Sequence, residues 1–194
     1  MGETVFTPLH RVLQQRGVRF AFFHQLTDVV PDGRTVSALR FDVQARVKDG
    51  PLSYRPTTRI REIDAWPAAP LSAQLDTPPD GDLDSYTHAG PPVGQRTLTR
   101  GADFDDVVFA IPVGAIPHAA GSLMAASPRW RLTAQRVKTI QTQSLQLWLR
   151  RSLSDLGWKR PPPFATCYAP PVDTWASMEQ TLPYEDWPAD NAPR

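Results

Sequence analysis

Residues 29–43 read VVPDGRTVSALRFDV and decide the fold class, because they predict two extended segments joined by a tight turn. The valines at the start favour strand, Pro-Asp-Gly at 31–33 is a turn sequence, and residues 34–43 resume with β-branched and aromatic side chains. Asp49-Gly50 predicts a further turn. Strands joined in this way are typical of an antiparallel meander.

Helices and strands are both expected around this meander. Thr7-Pro8 is a helix start signal, and residues 8–16 predict a short amphipathic helix that ends at Gly17. The fold class that follows is α+β, derived from α/β, with a mixed β-sheet that contains the meander and is packed against helices. Further helices are expected at 114–126, 127–140 and about 173–182, and further strands at 18–24, 105–111, 141–150 and 164–169.

Proline is concentrated in three stretches, 51–92, 161–171 and 183–193. The longest of them, 51–92, predicts an irregular excursion with short helices near 70–75 and 82–87. A long segment of poor periodicity inside a domain is often functional or mobile.

Composition excludes several classes of function. With 21 basic and 20 acidic residues, and arginines that scatter along the chain, neither nucleic acid nor an anionic membrane is expected as partner. The sequence has no membrane span of about 18 apolar residues and no signal region, so a cytoplasmic location is expected. Its one cysteine, Cys167, excludes an internal disulfide and is expected to be a buried small side chain.

Chemical motifs are scarce. The sequence contains no metal-binding histidine spacing, no G-x-S-x-G elbow and no phosphate-binding loop, so no metal is expected and the catalytic residues are unknown. His118 follows the predicted strand at 105–111, where α/β proteins place ligands, and Gln146 and Trp148 share one face of the predicted strand at 141–150. These three residues are the candidates for a substrate pocket.

Residues 104–117 read FDDVVFAIPVGAIP, and their run of apolar residues on both faces is typical of a buried parallel strand. This stretch resembles the late D-x-V-V-x-A-x-P strand of FAD-dependent oxidoreductases of the flavin amine oxidase and phytoene desaturase type. GETVFTPLHRVLQQRGVRFAFFHQLTDV (2–29) resembles a middle segment of the same enzymes, and TIQTQSLQLWL, LGW, PVDTWASM and DWP are similar to one branch of them.

The resemblance implies positions near the cofactor. It places the backbone of Leu26 at the adenine end of FAD and makes Val29 the second apolar residue of the same Leu-Thr-Asp-Val step. It also places Ala110, Ile111 and Pro112 near the flavin. The segments that it implies are 1–50, a helix plus meander of the FAD domain; 51–103, the proline-rich excursion of the substrate domain; 104–112, an FAD-domain strand; and 113–194, substrate-domain helices and strands.

The implied function is part of an enzyme, either a fragment or a split subunit that helps to transfer hydride from an organic substrate to FAD. The sequence carries neither the N-terminal G-x-G-x-x-G loop nor the C-terminal FAD motif of those enzymes. The isolated chain is therefore expected to hold no FAD, to need a partner segment with that loop, and to form homo- or hetero-oligomers. Two alternatives stay open: a non-catalytic ligand- or protein-binding module derived from the substrate domain, and an α+β domain with no surviving function.

Overall fold

A computed structural model describes most of the chain, and the chain divides into two compact units. The larger unit comprises residues 9–56 and 67–139, and the smaller unit comprises residues 1–8, 57–66 and 140–194. The described residues are 5–77, 83, 85, 90–140, 142–166, 170, 173–185 and 187–193.

Helices and small antiparallel sheets make up the described structure, which confirms the α+β class. The helices are α1 (Thr7–Gln15), α2 (Ile116–Ala119), α3 (Gly121–Ala126) and α4 (Pro128–Arg136). The strands are β1 (His24–Asp32), β2 (Thr35–Val43), β3 (Thr58–Ile60), β4 (Ile63–Ala65), β5 (Gly94–Thr99), β6 (Phe164–Ala165) and β7 (Trp175–Ala176). All pairs of these strands are antiparallel, so the expected mixed sheet is wrong for the described residues.

The meander predicted from residues 29–43 is the centre of the larger unit. Strands β1, β2 and β5 form a three-stranded sheet in the order β1-β2-β5. Gly33 is the first residue of the two-residue turn between β1 and β2 and has a φ of +57°, which favours glycine. The first helix and the turn at Asp49-Gly50 are also confirmed.

Helices α2, α3 and α4 cover one side of this sheet. Their core contains three buried residues, Val29 of β1 with Ile116 and Ala120 from the helical side. The predicted helix at 114–126 is broken at Ala120, which has non-helical dihedrals of φ −149° and ψ 44°. The predicted helix at 127–140 is confirmed as α4, which starts at Pro128 and ends at Arg136.

The carboxylate of Asp28 explains the break between α2 and α3. Its Oδ1 accepts the backbone N–H of Ser122 at 3.0 Å, and its Oδ2 accepts the Ser122 hydroxyl at 2.5 Å. In a continuous helix the Ser122 N–H would bond to the carbonyl of His118. The carboxylate therefore stabilises a new helix start and joins β1 to α3.

A second core cluster collects the aromatic residues that precede β1. Buried Tyr54 packs edge-on against Phe23 with a ring separation of 4.8 Å and against Phe22 at 5.3 Å. Phe23 has a φ of +60°, a left-handed conformation that ends any extended run at that residue. The strand predicted at 18–24 is therefore wrong up to Phe23, because these side chains enter an aromatic cluster instead of a sheet.

The smaller unit contains two short hairpins, β3 with β4 and β6 with β7. The strand predicted at 141–150 is wrong for residues 142–150, which pair with no strand and leave Leu147 62% exposed. The helix predicted at 173–182 is also wrong: Trp175 pairs with Ala165 in a hairpin, and a 3-10 helix follows at Glu179–Tyr184. Its internal Pro183 has no N–H with which to continue an α-helix.

Within and beside the proline-rich excursion the outcome is mixed. The helix near 70–75 is a single 3-10 turn at Ser72–Gln74, and the strands β3, β4 and β5 were not expected there. The helix at 82–87 lies outside the described residues except at 83 and 85. In the predicted strand at 164–169 the first two residues form β6, whereas residues 167–169, which include Cys167, lie outside the described part.

The strand predicted at 105–111 is also wrong, since no residue of this range lies in a strand. A β-strand is stable only when a neighbour pairs with its backbone. The three-stranded sheet of the larger unit ends at β1 and β5, and neither pairs with residues 105–111.

Replacing Asp28 tests the link between β1 and α3. We expect Asp28→Ala to lower the free energy of unfolding by about 1–3 kcal/mol, because it removes a charged acceptor and leaves two Ser122 donors without it. Urea denaturation followed by circular dichroism measures the change. Asp32→Ala, at the exposed end of β1, is the matched control, and equal midpoints for the two variants would contradict the assignment.

Candidate functional site

A cavity of about 260 Å³ lies between the β1–β2 hairpin and the segment that follows Asp106. We call it the β1–β2 cavity. Its walls are mainly apolar, which is typical of sites that bind flat organic groups. It is lined by His24, Leu26, Leu39, Phe41, Val107, Val108, Phe109, Ala110 and Ile111.

A β-bulge in β1 places the sheet side of this cavity. Leu26 pairs with Phe41 and Val29 pairs with Leu39, so Thr27 is an extra residue between the two pairs. Without the bulge, residues three apart would face opposite sides of the sheet. With it, Leu26 and Val29 share the side of Leu39 and Phe41, so the apolar residues can line the cavity and the core beneath it.

The other wall is the segment Val107–Ile111. Its side chains alternate, with Val107, Phe109 and Ile111 half-buried and Val108 92% exposed. Phe109 anchors the segment, because its ring packs edge-on against Trp130 at a centroid distance of 5.8 Å. The segment thus has the alternation of a strand without a strand neighbour in the described part of the chain.

His24 is the only residue with a polar side chain in the cavity wall. Its Nδ1 lies 2.6 Å from the carbonyl oxygen of Phe22. A carbonyl only accepts hydrogen bonds, so Nδ1 carries the proton in the neutral ring and Nε2 is the acceptor. The ring also packs edge-on against Phe41 at 6.2 Å. The sequence offered no signal for this role, since nothing in the spacing of the histidines distinguishes His24.

Three of the residues predicted from the resemblance meet in this cavity, namely Leu26, Ala110 and Ile111. Val29 lies in the core, where it is only 2% exposed. Pro112 is exposed, and its carbonyl accepts the N–H of Ala115 at 2.9 Å, which starts a 3-10 turn at Val113–Ala115.

The three residues predicted to form a substrate pocket lie outside this cavity. His118 is on α2 and exposed, whereas Gln146 and Trp148 belong to the smaller unit. The indole N–H of Trp148 donates to Glu185 at 3.3 Å, and its ring is 5.6 Å from that of Trp187. Trp148 therefore has neighbours within its own unit that the sequence pattern did not indicate.

Neither a metal site nor a membrane-spanning helix is found in the part of the chain that the structure describes. Its His, Cys, Asp and Glu side chains form no group of three or more that could hold a metal ion. None of its helices has the length and apolar character to cross a bilayer. Comparisons of the chain with protein families, with curated proteins and with solved structures find no match.

The tautomer of His24 can be measured directly. We expect neutral His24 to carry its proton on Nδ1, whereas a free imidazole in water prefers the Nε2 tautomer, because the Phe22 carbonyl accepts from Nδ1. Two-bond ¹⁵N–¹H correlation spectra of the protein at a pH where the ring is neutral distinguish the two forms. An Nε2-protonated pattern would contradict the contact with Phe22.

Proposed function

We propose that this chain supplies part of the cofactor site of an FAD-dependent oxidoreductase of the flavin amine oxidase and phytoene desaturase type. A partner chain or segment with the G-x-G-x-x-G loop would complete the site. One observation carries the proposal: Leu26, which the resemblance assigns to the adenine end of FAD, and Ala110 and Ile111, which it assigns to the flavin end, line the same cavity although they are distant in the sequence.

The size of the cavity limits what it would hold. At about 260 Å³ it lies below the roughly 300–1,000 Å³ of sites for drug-sized ligands, so it fits one ring system and not a whole dinucleotide. Adenine and flavin are at opposite ends of FAD, and one small cavity holds only one of these ends. Leu26, Ala110 and Ile111 would therefore all contact the same ring. Of the two rings we assign the smaller, adenine, and we move Ala110 and Ile111 from the flavin to the adenine end.

The residues of the cavity fit this ring chemically. Apolar surface for the faces of the adenine ring comes from Leu26, Leu39 and Phe41. In neutral His24 the Nε2 atom would accept a hydrogen bond from the adenine amino group. The pyrophosphate would need the helix N-terminus and glycine loop of the partner, because the cavity wall carries no Lys or Arg.

The segment Val107–Ile111 would pair with a β-strand of the partner. Its apolar residues point alternately toward the core and away from it, and its backbone pairs with no strand in the described part. A strand added from outside would satisfy these backbone groups and cover Val108. The pairing would also explain why the sequence is apolar on both faces, as in parallel sheets.

The flavin, when bound, supplies the redox chemistry by accepting hydride from an organic substrate. This chain would contribute binding and orientation of the cofactor through the β1–β2 cavity. No residue of the cavity is assigned as a catalytic acid or base, because His24, its only titratable side chain, would contact the adenine end.

Flavin binding and amide exchange test the proposal together. We expect the purified chain to be colourless and to bind added FAD weakly, since the cavity fits one ring only. Mixed with a chain that carries the G-x-G-x-x-G loop, the chain is expected to retain FAD, and the amides of Val107–Ile111 are expected to become protected from hydrogen exchange.

The result that would overturn the proposal is retention of FAD by the mixture without protection of these amides, or no retention at all. A yellow, stoichiometric preparation of the chain alone would remove the need for a partner. Protection without flavin binding would favour the alternative, a non-catalytic protein-binding module. The backbone of Val107–Ile111, which pairs with no strand among the described residues, would also suit that alternative.

A single substitution tests the cavity itself. We expect Ile111→Asp to weaken FAD binding by the completed site at least about tenfold, because a carboxylate in the apolar wall would be desolvated against the ring. Val12→Asp, on the exposed side of α1, is the matched control and should leave the Kd unchanged. Isothermal titration calorimetry with FAD and with AMP gives both constants, and an unchanged AMP affinity in Ile111→Asp would contradict the adenine assignment.

A further inference from the structure

The outer side of α4 carries a second, shallow surface depression in the larger unit, away from the cavity wall. A shallow groove of about 440 Å³ is lined by Arg129, Leu132, Thr133, Arg136 and Val137. We call it the α4 groove. Its floor is apolar, with Leu132 44% and Val137 49% exposed.

Helix geometry explains why these side chains face outward. Trp130 and Ala134, one turn apart, pack against the core of the larger unit. Arg129 and Arg136 lie seven residues apart, two turns along the other side, so about 10 Å of helix axis separates them. The groove is therefore an apolar floor with a guanidinium at each end.

Basic residues occur without acidic residues in the part of the larger unit that contains this groove, although the chain as a whole has nearly equal numbers of both. Residues 107–139 of the larger unit contain four basic residues and no Asp or Glu, although the whole chain has a net charge of only +1. Arg131 is engaged in the fold, because it donates to the carbonyls of Met124 and Ala125 at the end of α3. Among the described residues no carboxylate pairs with Arg129 or Arg136.

We infer that the α4 groove docks an amphipathic helix of a partner protein, with apolar residues on one face and acidic residues about two turns apart. Leu132 and Val137 match the apolar face, and Arg129 and Arg136 match the two carboxylates. A nucleic acid would need a polar floor and phosphate contacts along its length, and this floor is apolar.

A second copy of the chain is a poor occupant by the same criterion. None of the four α-helices, α1 to α4, contains Asp or Glu, and the 3-10 helix at Glu179–Tyr184 carries Glu179 alone. A copy would therefore present, from the described part, no helix with two carboxylates about two turns apart. Charge complementarity therefore favours a different protein. The inference does not depend on the flavin site, because the groove uses the outer side of α4 and none of the residues that line the cavity.

Synthetic peptides serve as the probe in the test. A fluorescein-labelled helical peptide of about 15 residues carries leucines on one face and two glutamates about two turns apart. A second peptide has glutamines in place of the glutamates. We expect the full chain to raise the anisotropy of the glutamate peptide with an affinity at least about tenfold above that for the glutamine peptide, and we expect the difference to shrink at high salt.

Variants of the two arginines locate the binding. Arg129→Gln/Arg136→Gln should lose the preference for glutamate, whereas Arg34→Gln, at the exposed β1–β2 turn, should keep it. Leu132→Ser should weaken both peptides, because it removes apolar floor. Circular dichroism of each variant is expected to show an unchanged helix content, since these exposed side chains are outside the core.

Three binding results would overturn the inference. These are equal affinity for the two peptides, an unchanged preference in Arg129→Gln/Arg136→Gln, and tighter binding of a single-stranded oligonucleotide that competes with the peptide. Concentration-dependent self-association abolished by the double substitution would also overturn it, because it would make a second copy the occupant.

Discussion

One extra residue in β1 fixes the arrangement on which the larger unit depends. Thr27 forms a bulge opposite β2, and its hydroxyl donates to the carbonyl of Arg40 at 3.1 Å. Because of the bulge, Leu26 and Val29 lie on the same side of the sheet, one at the cavity and one in the core. The carboxylate of Asp28 between them joins β1 to the start of α3. A regular strand would separate the cavity wall from the helical core.

Local sequence signals predicted the elements that need only local contacts. Gly33 predicted the β1–β2 turn because glycine readily adopts the positive φ that the turn requires. Ser127-Pro128 predicted the start of α4 because proline suits the first turn of a helix. The break at Ala120 had only Gly121 as a local signal, and the new helix start depends on Asp28, which lies far away in the sequence. The same holds for Phe23, whose left-handed backbone accompanies its packing against Tyr54.

Apolar runs were the weakest guide, because a strand requires a partner as well as a pattern. Val107–Ile111 and residues 142–150 both show the alternation or composition of strands, and neither pairs with a strand in the described part of the chain. The resemblance assigned Leu26 to the adenine end of FAD and Ala110 and Ile111 to the flavin end, and all three line one cavity. It did not select His24, because a histidine at the first position of a strand has no distinctive spacing, and its orientation depends on the carbonyl of Phe22.

The two proposed binding surfaces use opposite sides of α4 and are therefore compatible. Trp130 on the inner side packs against Phe109, which holds the cavity segment in place. Arg129 and Arg136 on the outer side border the α4 groove. A helix docked in the groove would contact neither Phe109 nor the backbone of Val107–Ile111, so a strand could still pair there. Both surfaces depend on Trp130, because its ring must stay packed in the core for the cavity wall and the groove to keep their shapes.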